Sequence, residues 1–328
     1  ELKKHPGMRV GSFRFKYKEG EPYTIHLVPA KKAENKSKEK PLPDHIPIKI
    51  DPKTGELYQQ ESQKSGFLDF VFHLHFDLFL GQVGTYLLGF VGLALLFLTV
   101  TGVILYGSYM KKLLLGAIRT RSLNLVASDA HKMVGVLSFG FQALIAFTGI
   151  CLTLGKLVIQ LYVYFELQGI LELAKKQQMQ LQVQNKPVAL ASIDAVLENG
   201  RKQFQTTGEN ITNVIYPGSI QGDYHFLVLG EAKEGLAKFI PKPLLMNRSN
   251  GSLVQALQLP WYIKLIALAG PFHFGNFGGW PVKIIYCILS FATGALAITG
   301  YIMYFIRRPH RKQNNKEEKP EEKEYAKT

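Results

Sequence analysis

Three stretches of the chain carry no Asp, Glu, Lys or Arg: residues 78–110, 133–155 and 284–306. Each is longer than the roughly 20 residues that cross the hydrocarbon core of a bilayer, so each predicts a transmembrane helix. The polar segments around them have a different pattern. Residues 11–17, 23–28, 213–216 and 224–229 read as strands, and residues 190–204 as a helix. Residues 48–57 and 244–253 share one shape: an apolar alternation, a turn containing a glycine, and more strand. Both read as hairpins whose turn needs a residue able to adopt positive φ. The expected fold is therefore an α-helical membrane bundle with two small α+β modules outside the lipid.

Charge gives the bundle a direction. The chain has 39 Lys and Arg against 25 Asp and Glu, a net +14, yet only 20% of its residues are charged and 47% are hydrophobic. A soluble cytoplasmic enzyme does not have three uncharged windows of this length. Nor does a nucleic-acid-binding domain fit, because no basic face interleaved with aromatics is present. Lys111, Lys112, Arg119, Arg121 and Lys132 flank the inner ends of the first two windows, and Arg307, Arg308, Arg311 and Lys312 follow the third. By the positive-inside rule the 111–132 loop and the 307–328 tail are cytoplasmic, and the tail, rich in Lys and Glu, reads as disordered or as a frayed polar helix. The strand-bearing segments 1–66 and 161–260 then face outward, each followed by a histidine-bearing segment and a span (67–110 and 261–306), with the helix 133–160 between. In a bacterium this is an inner-membrane, multi-pass protein with its modules in the periplasm. Cys151 and Cys287 both lie within apolar windows and read as buried thiols, not as a disulfide framework.

The chain repeats itself. His75 and His273 each come about twenty residues after a hairpin, and each precedes glycines and then a span. The spans end in Thr101-Gly102 and Thr299-Gly300, and the histidine-to-threonine spacing is 26 residues in both. Such matching predicts an internal parallel duplication. The second half has a leading helix (133–160) before its module and the first half has none. The chain also starts at Glu1, and residues 1–66 lack a signal for export. A leading helix, or a cleaved signal, is therefore expected before residue 1.

Four of the nine histidines flank the spans: His73, His75, His131 and His273. His5, His26, His45, His225 and His310 read as solvated or locally hydrogen-bonded surface groups. A single histidine at a membrane boundary serves well enough as an anchor or a cap. Two in equivalent places of two parallel repeats can face each other, and two facing neutral imidazoles suit the axial positions of a haem iron. No Cys-x-x-Cys-His occurs, so such a haem is not thioether-linked. His131, at the other membrane face, predicts a second haem site whose partner ligand lies on the leading helix. His73 and Asp77 leave a metal-ion site as an alternative. On a helix His73 and His75 lie about 200° apart, so only one of them faces the bundle interior. The glycines after each histidine, with Gly89, Gly92 and Gly294, suit either a flat macrocycle or close helix packing.

The elements Leu74-His75-x-Asp77-Leu78-x-Leu80-Gly81, Asp129-x-His131-x-x-x-Gly135 and Phe272-His273-Phe274-Gly275-x-Phe277-Gly278-Gly279 resemble the PepSY-associated transmembrane family. The run Asp51-Pro52-Lys53-Thr54-Gly55-Glu56 resembles the end of a PepSY module. The resemblance covers nearly the whole chain, although Tyr106 and Tyr304 stand where the family often has Trp. It implies an inner-membrane reductase with two b-type haems that reduces ferric siderophores in the periplasm. It further implies outer haem ligation at His75 and His273 and inner ligation at His131. The expected activity passes electrons from an inner donor, a quinol or a protein, through haem to an iron(III) chelate. No nucleophile, acid–base dyad or nucleotide loop is needed for that, and none is present. Lys238 and Lys242 either attract anionic chelates or form a solvated face. The competing reading is a non-catalytic PepSY-type subunit that anchors or regulates a respiratory or uptake complex, with its exposed Phe90, Leu93 and Phe97 meeting partner helices. A transporter fits less well, since no span is broken and none has an acid or base at mid-helix.

Overall fold

The structure is a computed structural model that describes residues 2–15, 21–30, 46–58, 66–110, 118–169, 172, 176, 190–218 and 225–321. It divides into two compact units, one of residues 1–70 and 156–268, the other of residues 71–155 and 269–328.

The first unit is built on one antiparallel sheet. Its strands are β1 (Met8–Arg14), β2 (Tyr23–Pro29), β3 (Ile46–Ile50), β4 (Asn210–Ile215), β5 (His225–Glu231), β6 (Lys242–Asn247) and β7 (Leu253–Ala256). They lie in the order β3-β2-β1-β4-β5-β6-β7. The two separate modules expected from the sequence are thus joined edge to edge. Each would otherwise expose a strand with unpaired N–H and C=O groups; here β1 and β4 satisfy each other, pairing Ser12 with Ile215, Phe13 with Val214 and Arg14 with Asn213.

Several features recur on the two sides of that seam. Phe15 N–H donates to the Thr212 carbonyl at 2.9 Å, and Tyr216 N–H donates to the Gly11 carbonyl at 2.8 Å. β1 shifts register against β2 between Val10 and Ser12, and β4 shifts against β5 between Ile211 and Asn213. The two hairpin turns also match. Gly55 N–H meets the Asp51 carbonyl, and Gly251 N–H the Asn247 carbonyl, both at 3.0 Å. The Asp51 and Asn247 side chains accept from the backbone two residues on, at Lys53 (2.7 Å) and Ser249 (2.8 Å). Gly55 and Gly251 have φ of 73° and 67°, the left-handed conformation that the turn requires.

One amphipathic helix, α4 (Ile193–Gln205), covers the second half of the sheet. Ser192 caps it by accepting from Ala195 N–H at 3.2 Å. Its Val196 and Phe204 are buried against Ile211, Val214, Phe226, Val228, Leu244 and Met246. Two glycines let the layers meet. A Cβ on Gly230 would stand 2.4 Å from the Phe204 ring, and one on Gly200 would stand 3.1 Å from Ile211. His225, read from sequence as a surface group, opens β5 at 3% exposure. It alternates with Phe226 and Val228, which enter the core, so its imidazole lies on the opposite face, where Leu227 is buried too, and burial pushes its pKa down.

The second unit is helical. Among the described residues, three helices are long and apolar enough to cross a membrane: α2 (Gly81–Met110), α3 (Leu123–Tyr162) and α6 (Gly279–Glu321). α3 begins ten residues before Met133, so residues 123–132 of the expected loop are helical; residues 111–117, with Lys111 and Lys112, lie outside the described residues. α3 continues through a π-helical turn, Val163–Leu167. α6 extends through the tail to Glu321 as one helix, and residues 322–328 lie outside the described residues. The shorter helices α1 (Phe67–Phe76) and α5 (Trp261–His273) lead into α2 and α6. Each carries its histidine in the last turn, and the following span starts six residues later at a positive-φ glycine, Gly81 or Gly279.

α3 touches both other spans. Cβ atoms on Gly89 and Gly92 of α2 would fall 2.7 Å from Leu154 and 3.1 Å from Ile150. These two glycines therefore serve close helix packing, not a macrocycle. On its other side α3 meets α6 through Phe141 and Tyr286, whose ring centroids are 5.1 Å apart.

Candidate histidine sites

His75, from α1, and His273, from α5, meet ring to ring. Their centroids are 6.2 Å apart and their planes differ by 23°. Flat rings in face contact approach to about 4 Å. Two imidazoles sharing one ion are separated by two metal–nitrogen bonds of about 2 Å and two ring radii of about 1 Å, about 6 Å in all. The spacing fits a shared iron. His273 Nδ1 lies 3.0 Å from the Thr148 hydroxyl of α3. Burial, and then the neighbouring His75, lower the His273 pKa and favour the neutral ring that a metal needs.

His73 is not part of this pair. Its Nδ1 stands 3.3 Å from both carboxylate oxygens of Asp77, one helical turn on. Asp77 also accepts from Phe79 N–H at 3.0 Å, which ties it to the α1–α2 corner. No group of three or more His, Cys, Asp or Glu able to hold a metal ion occurs among the described residues.

His131 is at the other end of the bundle. It is seventeen residues before Thr148 on α3, about 25 Å along the helix axis at 1.5 Å per residue. Its Nδ1 lies 2.9 Å from the Thr299 hydroxyl of α6. It lines a cavity of about 480 Å³ among α2, α3 and α6, together with Tyr106, Gly135, Phe139, Gln142 and Thr293. That volume lies within the roughly 300–1,000 Å³ of small-molecule and cofactor sites. The lining is mostly apolar, with a few polar groups: Gln142 Nε2 donates to Thr293 Oγ1 at 3.1 Å. Before the histidine, Asp129 is clamped by Arg119, whose Nε and Nη2 donate to it at 2.8 Å each. This bidentate pair fixes the entry to α3.

Among the lysines singled out from sequence, Lys242 is not free to attract a substrate: its ammonium pairs with Glu209, whose side chain is 2% exposed. Lys238 lies over the ring of its neighbour Phe239, 4.8 Å from the centroid.

Sequence reasoning missed the threonine partners of the histidines and the Gln142–Thr293 bond. The recurring Thr-Gly pair was the available signal: Thr148-Gly149 sits against His273, Thr299-Gly300 against His131, and Gly102 of the Thr101-Gly102 pair on α2 lines the cavity. A family model described as the PepSY-associated TM region matches residues 13–308. No curated protein matches the chain.

Proposed function

The chain belongs to the PepSY-associated transmembrane family, and from that premise we propose that it is a membrane b-type haem protein. It passes electrons across a bacterial inner membrane to a periplasmic acceptor, an iron(III) chelate of the ferric-siderophore kind. The observation that carries this reading is the His75–His273 ring pair, whose spacing suits two axial ligands of one iron. His131, beside a cavity of cofactor size, is the ligand the chain offers to a second haem.

The haem supplies reversible one-electron chemistry when bound. The chain's own residues do the rest. His75 and His273 would hold the iron, and the apolar spans would keep water from it. His131 offers a second station about 25 Å away along α3. In each turnover a donor, a quinol or a protein, loses one electron, and the chelated iron(III) gains it to become iron(II), which its ligands hold less tightly.

Recurring features of the two halves support reading the pairing as the product of an internal duplication. On either side of the β1–β4 seam the strands shift register at matching places, and the two turns carry the same hydrogen bonds. The parallel histidine-to-glycine and histidine-to-threonine spacings fit two PepSY-like repeats. Flanking charge places the 118–122 connection and the end of α6 on the cytoplasmic side.

Haem content decides the matter. By pyridine haemochrome assay, purified wild-type protein is expected to hold one or two haems. His75→Ala and His273→Ala each lose one equivalent, and His131→Ala lowers the content further if the second site is filled. Full haem content in both His75→Ala and His273→Ala would refute the assignment, as would a colourless wild type reconstituted with haem.

A further inference from the structure

The two threonines that meet the histidines have already spent their only proton. Thr148 Oγ1 donates to the Leu144 carbonyl at 2.7 Å, with Ile145 at 3.2 Å. Thr299 Oγ1 donates to the Ala295 carbonyl at 2.8 Å, with Leu296 at 3.2 Å. A hydroxyl has one hydrogen and two lone pairs. With the hydrogen held by the helix backbone, what each hydroxyl can offer an imidazole nitrogen is a lone pair. The contacts at 3.0 Å to His273 and 2.9 Å to His131 then call for a hydrogen on Nδ1, and the Ile145 and Leu296 carbonyls, which also hydrogen-bond these rings, favour an N–H on the same side. In a neutral ring, Nε2 is then left bare.

The residue after each threonine completes the seat. A Cβ on Gly149 would be 3.4 Å from His273 Cε1, and one on Gly300 would be 3.6 Å from His131 Cε1. Each glycine lets the ring lie against the helix beside the hydroxyl. One dipeptide thus receives an imidazole twice, once on α3 and once on α6, against histidines from different elements.

We propose that Thr148-Gly149 and Thr299-Gly300 are tautomer-setting seats, which hold His273 and His131 in the Nδ1–H form and leave Nε2 as the donor atom for iron. Thr148 and Thr299 are positioning residues: they act on the metal only through the ring. The inference rests on the reading of these histidines as ligands, and it adds what selects the ligating nitrogen. Imidazole in water favours the Nε2–H form, in which that nitrogen is blocked. The seat removes this competition before any iron arrives. Groups of this kind, which orient a ligating histidine, change metal affinity about 10–100-fold when removed.

The tautomer can be read without haem. Long-range 1H–15N spectra of haem-free protein labelled with [15N]histidine, assigned by single His→Gln variants, are expected to show His273 and His131 as Nδ1–H rings. Thr148→Val should move His273 alone toward Nε2–H, and Thr299→Val should move His131 alone. Thr148→Ser and Thr299→Ser, which keep the hydroxyl, should restore the wild-type pattern, and Thr101→Val should leave both rings unchanged. In haem titrations the valine variants should bind about 10–100-fold more weakly, with serine restoring affinity. Nε2–H rings in the wild type would overturn the proposal at any haem content. So would valine variants that leave the spectra unchanged. Nδ1–H rings in a protein that takes up no haem would uphold the seats and refute the haem reading instead.

Discussion

Glu209 shows how much a single side chain carries in the sheet unit. Burial alone would raise its pKa, but the Lys242 ammonium and the Thr207 hydroxyl outweigh that, and the net shift is downward. A carboxylate with a depressed folded pKa contributes stability above its unfolded value, about 4.3, and that stability is lost as pH falls through the lower folded value. Thermal melts of wild type and Glu209→Gln should therefore converge as the pH is taken from about 6 to about 3. Lys242→Ala leaves the buried carboxylate without its cation. Removing one partner of a fully buried pair costs about 3–5 kcal/mol; because Lys242 is half exposed, about 2 kcal/mol is expected at neutral pH. A variant as stable as wild type would show that water replaces the ammonium. Lys242 also marks a limit of reading residues singly. In sequence it is one surface lysine among many, and its partner, 33 residues earlier, is found only once β4 and β6 have been placed in the sheet.

At the level of elements, the two hairpin turns make a controlled comparison. Both glycines have positive φ, so alanine at either costs about 1–2 kcal/mol in backbone strain. A Cβ at Gly55 meets nothing within 4 Å, whereas one at Gly251 stands 3.1 Å from Val196 of α4. Gly251→Ala should therefore lower the melting temperature more than Gly55→Ala, and equal losses would mean that α4 yields. In the bundle, Gly89→Leu forces α2 from α3, because Leu154 already occupies the space at 2.7 Å. Overpacking of this kind costs about 1–3 kcal/mol, and detergent melts of that variant measure it. The spans were legible from charge-free length alone, and the strands from their alternation to within three residues at each end. The union of two modules into one sheet was not legible, because strand-edge pairing between β1 and β4 links residues some 200 positions apart and leaves no mark in either segment. The burial of His225 was hidden for a related reason: residues 225–228 of β5 are all buried, so both faces of the strand are covered there, and the local sequence does not show that.

On the scale of the whole molecule, the account is of a membrane protein whose two halves each deliver one histidine to a common point. The matched spacing of His75 to Thr101 and of His273 to Thr299 singled the two histidines out in the sequence; that their ring centroids stand 6.2 Å apart is what the fold adds. Their seats were not legible, since Thr148 reaches His273 from 125 residues away. Flanking charge predicts that Ser122 and Ser252 lie on opposite sides of the membrane. In a chain with Cys151 and Cys287 replaced, single cysteines at these two positions should react with an impermeant maleimide from opposite faces of sealed vesicles; labelling from one face would reverse or abolish the assigned topology. The central claim is that the paired rings of His75 and His273 grip one iron. Low-temperature electron paramagnetic resonance of the oxidised, haem-loaded protein tests it most directly. The account predicts that a low-spin signal of bis-imidazole ligation, present in wild type and in His131→Ala, disappears in the double variants His131→Ala/His75→Ala and His131→Ala/His273→Ala alike. A low-spin signal that survives in both double variants would contradict it.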